Sequence, residues 1–270
     1  MESSSSSTGF GGTPSLDADE RSEVPQESAP QTSEDASDAT TRSVSIVVPT
    51  FNEAENIEHV IERCRQAMDG MDYELIVVDD DSPDGTWRVA ERASAETDRV
   101  TVHRRRSERG LGTAVAAGFD RATKEFCVVI DADLQHPPEL IPELVNHVTE
   151  YVDIVVGSRY QKGGRVVNWP LSRRLISRGA VGLAKLCIPA ARGLNDPLSG
   201  FFLVRSSVVD EASLDPMGYK ILLEVLVECD YSHVVEVPYR FDERQHGTSK
   251  LSADACRAFV EQHLTLRSRA

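Results

Sequence analysis

The chain has 270 residues, 40% of them hydrophobic, which is enough to bury a sizeable core. Asp and Glu number 44 against 29 Lys and Arg, and the resulting formal charge of -15 opposes non-specific binding to nucleic acid, so no nucleic-acid partner is expected. No run approaches the roughly 18 apolar residues of a membrane span, and the N-terminus lacks the basic and apolar regions of a signal peptide, so a cytoplasmic location is expected.

Residues 1–43 are crowded with Ser, Thr, Asp and Glu, including the run Ser3 to Ser7, and read as a disordered acidic tail. Regular patterning starts at Val44. Val44 to Val48 is a short β-branched run ended by Pro49, and Glu53 to Met68 then carries Ile57, Val60, Ile61 and Cys64 at helical spacing. The alternation recurs with Leu75 to Val78 before a helix from about Gly85, Val100 to His103 before Gly110 to Ala122, and Phe126 to Ile130 before Pro138 to Val148. Val152 to Gly157 and Phe201 to Val204 supply further strands, and Leu251 to Leu266 forms a weakly amphipathic helix. Continuous apolar strands separated by helices predict an α/β fold, a mostly parallel central sheet with helices on both faces. Ligands then belong at the carboxyl ends of the strands. The five cysteines are widely spaced and free of CxxC pairs, so they read as buried thiols.

The chemistry-bearing residues cluster at those strand ends. The first strand runs into Pro49-Thr50-Phe51-Asn52-Glu53, the second into Asp79-Asp80-Asp81-Ser82-Pro83-Asp84-Gly85, and the fourth into Asp131-Ala132-Asp133-Leu134-Gln135-His136. An Asp-x-Asp leaving a buried strand can aim two carboxylates at a hard divalent cation, whose remaining ligands would be phosphate oxygens and water. The same two residues could instead cap the helix starting near Pro138, and Asp79 to Asp81 could be a turn before Pro83. A dinucleotide-binding dehydrogenase is disfavoured, because no G-x-G-x-x-G follows the first strand.

Seven blocks in order, VSIVVPTFNEAENI (44–57), ELIVVDDDSPDGT (74–86), RGLGTAVAAGF (109–119), VVIDADLQHPPE (128–139), VVGSRY (155–160), DPLSGFF (196–202) and HGTSKL (246–251), resemble the family 2 glycosyltransferases of the GT-A fold, in particular their dolichyl-phosphate mannose synthase and polyprenyl-phosphate group. The resemblance implies a GT-A catalytic domain over 44–251, and the helical spacing beyond it reads as an amphipathic helix over 252–270. It implies that Pro49, Phe51, Glu53, Asp79, Asp80 and Asp81 hold the base and ribose of a nucleotide sugar, with Asp131, Ala132, Asp133 and Gln135 at its diphosphate. Asp131, Asp133 and Gln135 would carry Mg²⁺ or Mn²⁺. Arg159, Arg173, Ser177, Arg244 and Lys250 match positions that grip the phosphate of a lipid acceptor, and the four-residue interval puts Arg173, rather than Arg174, on one helix face with Ser177. Asp131, Asp133, Arg159 and Arg244 would carry catalysis. Asp196 and Ser199 are expected near the donor sugar, or else simply form a turn entering the next strand. The chain departs from the family pattern at Asp81, where Asn or Gly is frequent, and at Leu198, where Thr is common.

The activity so implied is metal-dependent, inverting transfer of a hexose, foremost mannose from GDP-mannose, to a dolichyl or polyprenyl phosphate, giving a lipid-linked sugar for glycosylation. UDP-glucose or UDP-N-acetylglucosamine are the alternative donors, and a non-catalytic nucleotide-sugar-binding protein is the alternative role. A lipid acceptor calls for peripheral docking on the cytoplasmic face of a membrane or on a small membrane-embedded subunit. The C-terminal helix and the stretch Val166 to Leu183, with Trp169, Leu175 and Ile176, are the two candidate contact segments.

Overall fold

The apolar runs pair as one sheet in which the interior strand β1 (Ser43–Thr50) is buried on both faces. The computed structural model describes residues 42–212, 214–216, 218–242, 262, 265 and 266. The tail before Arg42, nearly all of the C-terminal helix, Arg244 and Lys250 lie outside the described residues. Alternate β1 side chains feed two cores. Val44, Ile46 and Val48 pack with Ile57, Val60, Ile61 and Cys64 of α1 (Ile57–Ala67), while Val47 faces Val115 and Phe119 of α3 (Leu111–Phe119). A period-two strand sandwiched between helices is apolar at nearly every position, and the buried Ser45 that interrupts this run donates from Oγ to Glu74 at 2.6 Å. Gly118 lets α3 approach β1, since a Cβ there would stand 2.3 Å from Val47 Cγ1.

Among the described residues the sheet has seven strands in the order β3-β2-β1-β4-β7-β5-β8. These are β2 (Asp72–Asp79), β3 (Val100–Arg104), β4 (Phe126–Val129), β5 (Val152–Ser158), β7 (Phe202–Arg205) and β8 (His233–Pro238) around β1. β1 pairs in parallel with β2 and β4, β2 with β3, and β5 with β8, whereas β7 runs antiparallel to both β4 and β5. The fold is therefore the expected mostly parallel α/β sheet with helices on both faces. Helices α1, α2 (Thr86–Ser94) and α4 (Ile141–Asn146) cover one face, and α3, α6 (Ser206–Asp210) and α7 (Ile221–Glu228) the other. The helix α5 (Leu171–Cys187) packs Val181 and Ala184 against Ile188, Leu198 and Leu223, and a two-strand ribbon joins β6 (Arg165–Val166) to β9 (Arg240–Phe241). Phe126, Phe201 and Phe202 are fully buried, and truncating any of them to alanine would cost about 3–5 kcal/mol.

Two expected helices start later than their apolar spacing suggests. The first begins at Ile57 rather than Glu53, because side chains of the β2 loop hold residues 52–54 in an open turn. Asn52, at φ 55°, donates its N–H to Ser82 Oγ at 3.0 Å, and the N–H groups of Glu53 and Ala54 donate to Thr86 Oγ1 at 2.9 Å and Asp84 Oδ2 at 3.1 Å. The segment Pro138 to Val148 opens as a 3₁₀ turn, Pro138–Leu140, before α4, with no side chain capping either start. Asp131 and Asp133 are thus not helix caps.

Candidate active site

Parallel strands bring their carboxyl ends to one rim, and the reversed β7 brings its amino end to the same place. The loops after β1, β2, β4 and β5 therefore meet the 196–201 loop that precedes β7. Pro49, Leu111, Asp131, Ser199, Gly200 and Tyr219 line a narrow cleft at this rim.

On one side of the cleft, the three successive carboxylates have separate partners. Asp79 is fully buried, and its oxygens accept from Thr50 Oγ1 at 2.9 Å and from the N–H and Oγ of Ser82 at 2.8 and 2.6 Å. It ties the β1 and β2 loops together. Asp80 is buried against Arg105, accepting from Nε at 2.7 Å with Oδ1 and from the Gly110 N–H at 2.8 Å with Oδ2, while Arg105 Nη2 donates to the Gly110 carbonyl at 3.1 Å. This buried pair pins the loop entering α3. Asp81 holds a positive φ of 53° and pairs with Arg104, whose guanidinium lies 3.7 Å from the Trp87 ring centroid. Glu53 is buried with Oε2 accepting from Asn56 Nδ2 at 2.8 Å, and the half-buried Phe51 ring lies 5.4 Å below the Arg109 guanidinium.

Across the cleft, Asp131 follows the buried end of β4. Its N–H donates to His136 Nδ1 at 3.1 Å. Burial pushes the His136 pKa down to about 4, so the ring is neutral with its proton on Nε2. His136 stacks on Phe201, centroids 5.3 Å apart, and meets Tyr239 and Phe241 edge-on at 6.0 and 5.7 Å. The aromatic wall thereby fixes the start of the Asp131 loop. The Asp131 carboxylate faces Gly200, where a Cβ would stand 3.3 Å from Oδ2, so glycine keeps that notch open. Asp133 is buried with Oδ1 accepting the Gln135 N–H at 3.1 Å, Ala132 is buried beside it, and Gln135 Nε2 donates to the Asp242 carbonyl at 3.0 Å.

The basic residues are placed differently from one another. Arg159 is largely enclosed, its side chain 10% exposed, and forked onto the fully buried Asp196, with Nε and Nη2 each 2.7 Å from a carboxylate oxygen and the backbone N–H 3.0 Å from Oδ2. Burial works against the Arg159 charge, but the Asp196 fork outweighs it and raises the guanidinium pKa. Arg159 is therefore an anchored ion-pair member, not the open surface guanidinium that a phosphate grip suggests. Arg173 and Ser177 do share the inward face of α5. The Arg173 guanidinium sits 4.0 Å from the centroid of Trp169, Arg159 approaches the same ring at 6.0 Å, and Ser177 Oγ accepts from the Tyr160 hydroxyl at 2.8 Å. Arg174 instead reaches the Val166 carbonyl at 3.3 Å on the exposed side. Ser199 is buried and donates to the Gly157 carbonyl at 2.6 Å, so it forms the turn into β7 while its neighbour Gly200 shapes the cleft.

Arg105, His136, Tyr239 and Lys220 belong to the site although nothing singled them out in the sequence. Arg105 is the middle of three arginines, and no local pattern tells which one is buried. Lys220, just before α7, donates from Nζ to the Leu198 carbonyl at 3.0 Å. Burial lowers its pKa, and the positive charge of Arg159 acts in the same direction.

A mostly parallel sheet with an Asp-x-Asp at the end of a central strand, its first Asp lining the rim cleft, defines a glycosyltransferase of the GT-A class. Solved structures of glucosyl-3-phosphoglycerate synthase from Mycobacterium tuberculosis share this fold at TM-score 0.66 and 22% identity, over 91% of this chain and 86% of theirs. The chain belongs to the glycosyl transferase family 2, whose family model matches residues 45–211. It is 50% identical over 208 residues to a dolichol-phosphate mannosyltransferase of Pyrococcus furiosus, 77% of this chain, and spans 59% of that relative's length. It is 35% identical to a dolichol-phosphate mannosyltransferase of Mycosarcoma maydis, over 85% of this chain and 81% of the relative. A polyprenol monophosphomannose synthase of Mycolicibacterium smegmatis is 37% identical, over 80% of this chain and 84% of its own.

Proposed function

We propose that the protein transfers mannose from GDP-mannose to a dolichyl or polyprenyl phosphate, with inversion, using a divalent cation. The observation that carries this reading is the pair Asp131 and Asp133 at the end of β4, with Asp131 open to the Gly200 notch and facing the cleft. The names of its curated relatives support the sugar and the lipid class.

The donor set fits Mg²⁺ or Mn²⁺. Two carboxylates offer hard oxygens, and among the described residues no third His, Cys, Asp or Glu completes a protein cage, which suits a cation that shares its ligands with a diphosphate and water. Such a cation, when bound to Asp131 and Asp133, neutralises the leaving nucleoside diphosphate. Gln135, with its amide nitrogen bonded to Asp242, would contribute through its remaining oxygen. Glu53 and Asp81 would take up ribose and base donors, with Phe51 against the base, while Asp79 and Asp80 hold the loops that carry them.

The acceptor phosphate is already an anion, so it needs placement more than a strong base. Arg173 and Ser177 on α5 would place it, with Arg244 and Lys250 from the segment outside the described residues. Arg159, tied to Asp196, would position Trp169 and Arg173 and lend its charge without leaving its partner. The outward face of α5 suits a lipid boundary: Leu171, Leu175, Ile176 and Leu186 are 81%, 74%, 63% and 75% exposed, beside Arg174 and Arg178. Trp169, expected at that boundary, is instead buried under Arg173 and against Phe241.

The test is transfer of label from GDP-mannose, UDP-glucose or UDP-N-acetylglucosamine, run in parallel, to a short polyprenyl phosphate with Mg²⁺ or Mn²⁺. Label from GDP-mannose in the organic phase is expected. Label from a UDP-sugar alone would replace the donor, and none from any donor would reject the activity.

A further inference from the structure

Lys220 carries a charge that the site, as built from its other residues, leaves without a role. Its backbone is fixed on two sides. The Gly112 N–H of α3 donates to the Gly218 carbonyl at 3.2 Å, and Gln262 Nε2 donates to the Lys220 carbonyl at 3.3 Å. A Cβ at Gly112 would stand 2.7 Å from the Gly218 oxygen, so the segment lies directly against α3. The neighbours Tyr219 and Ile221 both line the cleft with Asp131 and Gly200. The ammonium reaches the Leu198 carbonyl at 3.0 Å, one residue from the cleft-lining Ser199, and makes no ion pair among the described residues. An ammonium has three N–H donors, so one bond to a carbonyl leaves two. The other buried cations of the site, Arg159 and Arg105, are already matched to Asp196 and Asp80.

We infer that Lys220 binds the diphosphate of the donor and stabilises the charge that develops on it, a role that rests on the nucleotide-sugar reading above. In the transfer step the bond between the anomeric carbon and the diphosphate oxygen breaks, with its electron pair going to that oxygen. A lipid-phosphate oxygen forms the new bond to the same carbon. The nucleotide therefore leaves with one more negative charge than it brought. Asp131 and Asp133 match a divalent cation in charge, so the diphosphate's own charge needs a further cation beside the cleft. Lys220 sits between two residues that line the cleft and forms no ion pair among the described residues, which places an ammonium there for that charge.

The experiment compares the wild-type chain with Lys220→Met and Lys220→Gln in Mn²⁺, using calorimetry with GDP and UDP, and competition titrations with guanosine and uridine. Affinity for the diphosphate that the wild type prefers should fall roughly 10- to 100-fold in both variants, the range for a bond to a charged group, while affinity for the nucleoside stays constant. The kcat of sugar transfer should fall with it. Lys220→Gln keeps an N–H for the Leu198 carbonyl and removes the charge, so it decides the matter if Lys220→Met does not fold. Normal diphosphate binding by Lys220→Gln, or an equal loss for nucleoside and diphosphate, would overturn the inference alone. A wild-type chain that binds neither GDP nor UDP would overturn the donor reading as well.

Discussion

Replacing Asp196 with alanine would strand a buried guanidinium. In the native chain Asp196 is fully buried and accepts three hydrogen bonds from Arg159, two from the side chain and one from the backbone, all at 2.7–3.0 Å. Removing one member of a buried ion pair costs about 3–5 kcal/mol, against about 0–1 kcal/mol for an exposed pair. For a domain of this size, 1 kcal/mol corresponds to about 2–4 °C, so Asp196→Ala should lower Tm by about 10 °C. The double variant Arg159→Met with Asp196→Leu removes both charges and should recover much of that loss, because neither desolvated group remains. Thermal unfolding followed by far-UV circular dichroism reads both. A shift of only 1–2 °C in Asp196→Ala, or a double variant no better than the single, would refute the account of Arg159 as an anchored residue and restore it as an open phosphate grip.

Three other outcomes follow from the same geometry. Asp133→Ala should reduce sugar transfer at least about 100-fold, with Tm within a few degrees of wild type, as measured by label entering the organic phase; full activity would dismiss the Asp-x-Asp as the cation site. Leu175→Glu with Ile176→Glu on the exposed face of α5 should weaken binding to anionic vesicles at least about tenfold in a flotation assay without changing nucleotide affinity, and unchanged flotation would move the lipid contact elsewhere. Burial raises the thiols of Cys64, Cys127 and Cys229 to about 12, so at pH 8 they stay protonated and should react with a thiol reagent only after unfolding; labelling of Cys64 in the native chain would contradict its place between α1 and the sheet.

Much of the architecture could be read from the chain because β1, β2, β4 and β5 are buried on both faces and so are apolar at most positions. That Arg173, and not Arg174, shares a face of α5 with Ser177 was legible for a similar reason: a four-residue interval fixes a helix face. Strand direction leaves no such mark, and nothing in Phe202 to Arg205 announces that this strand runs opposite to its neighbours. Nor could Asp79, Asp80 and Asp81 be told apart, since their roles depend on Ser82, Arg105 and Arg104, and two of those partners arrive from β3 and its end. Arg159 read only as a phosphate grip, because the carboxylate that anchors it lies 37 residues further on. The expected helix at Glu53 failed where side chains from the next loop outbid local helical preference for the backbone N–H groups.

The reversed strand β7 also sets a schedule for synthesis. β4 leaves the ribosome with β1 already available on one side, but its other partner comes far later: Cys127 and Ser206, which meet at the β4–β7 border, are 79 residues apart. Until then β4 presents an apolar edge with unpaired peptide groups, and β5 emerges before the strand that must separate it from β4. Direct pairing of β4 with β5 is a ready wrong turn, since both are short, apolar and compatible in parallel. Pulse-labelling of nascent chains stalled before and after residue 205 would show β4 amides becoming protected only in the longer chains, which makes this crossover the step where a holdase chaperone has most to protect.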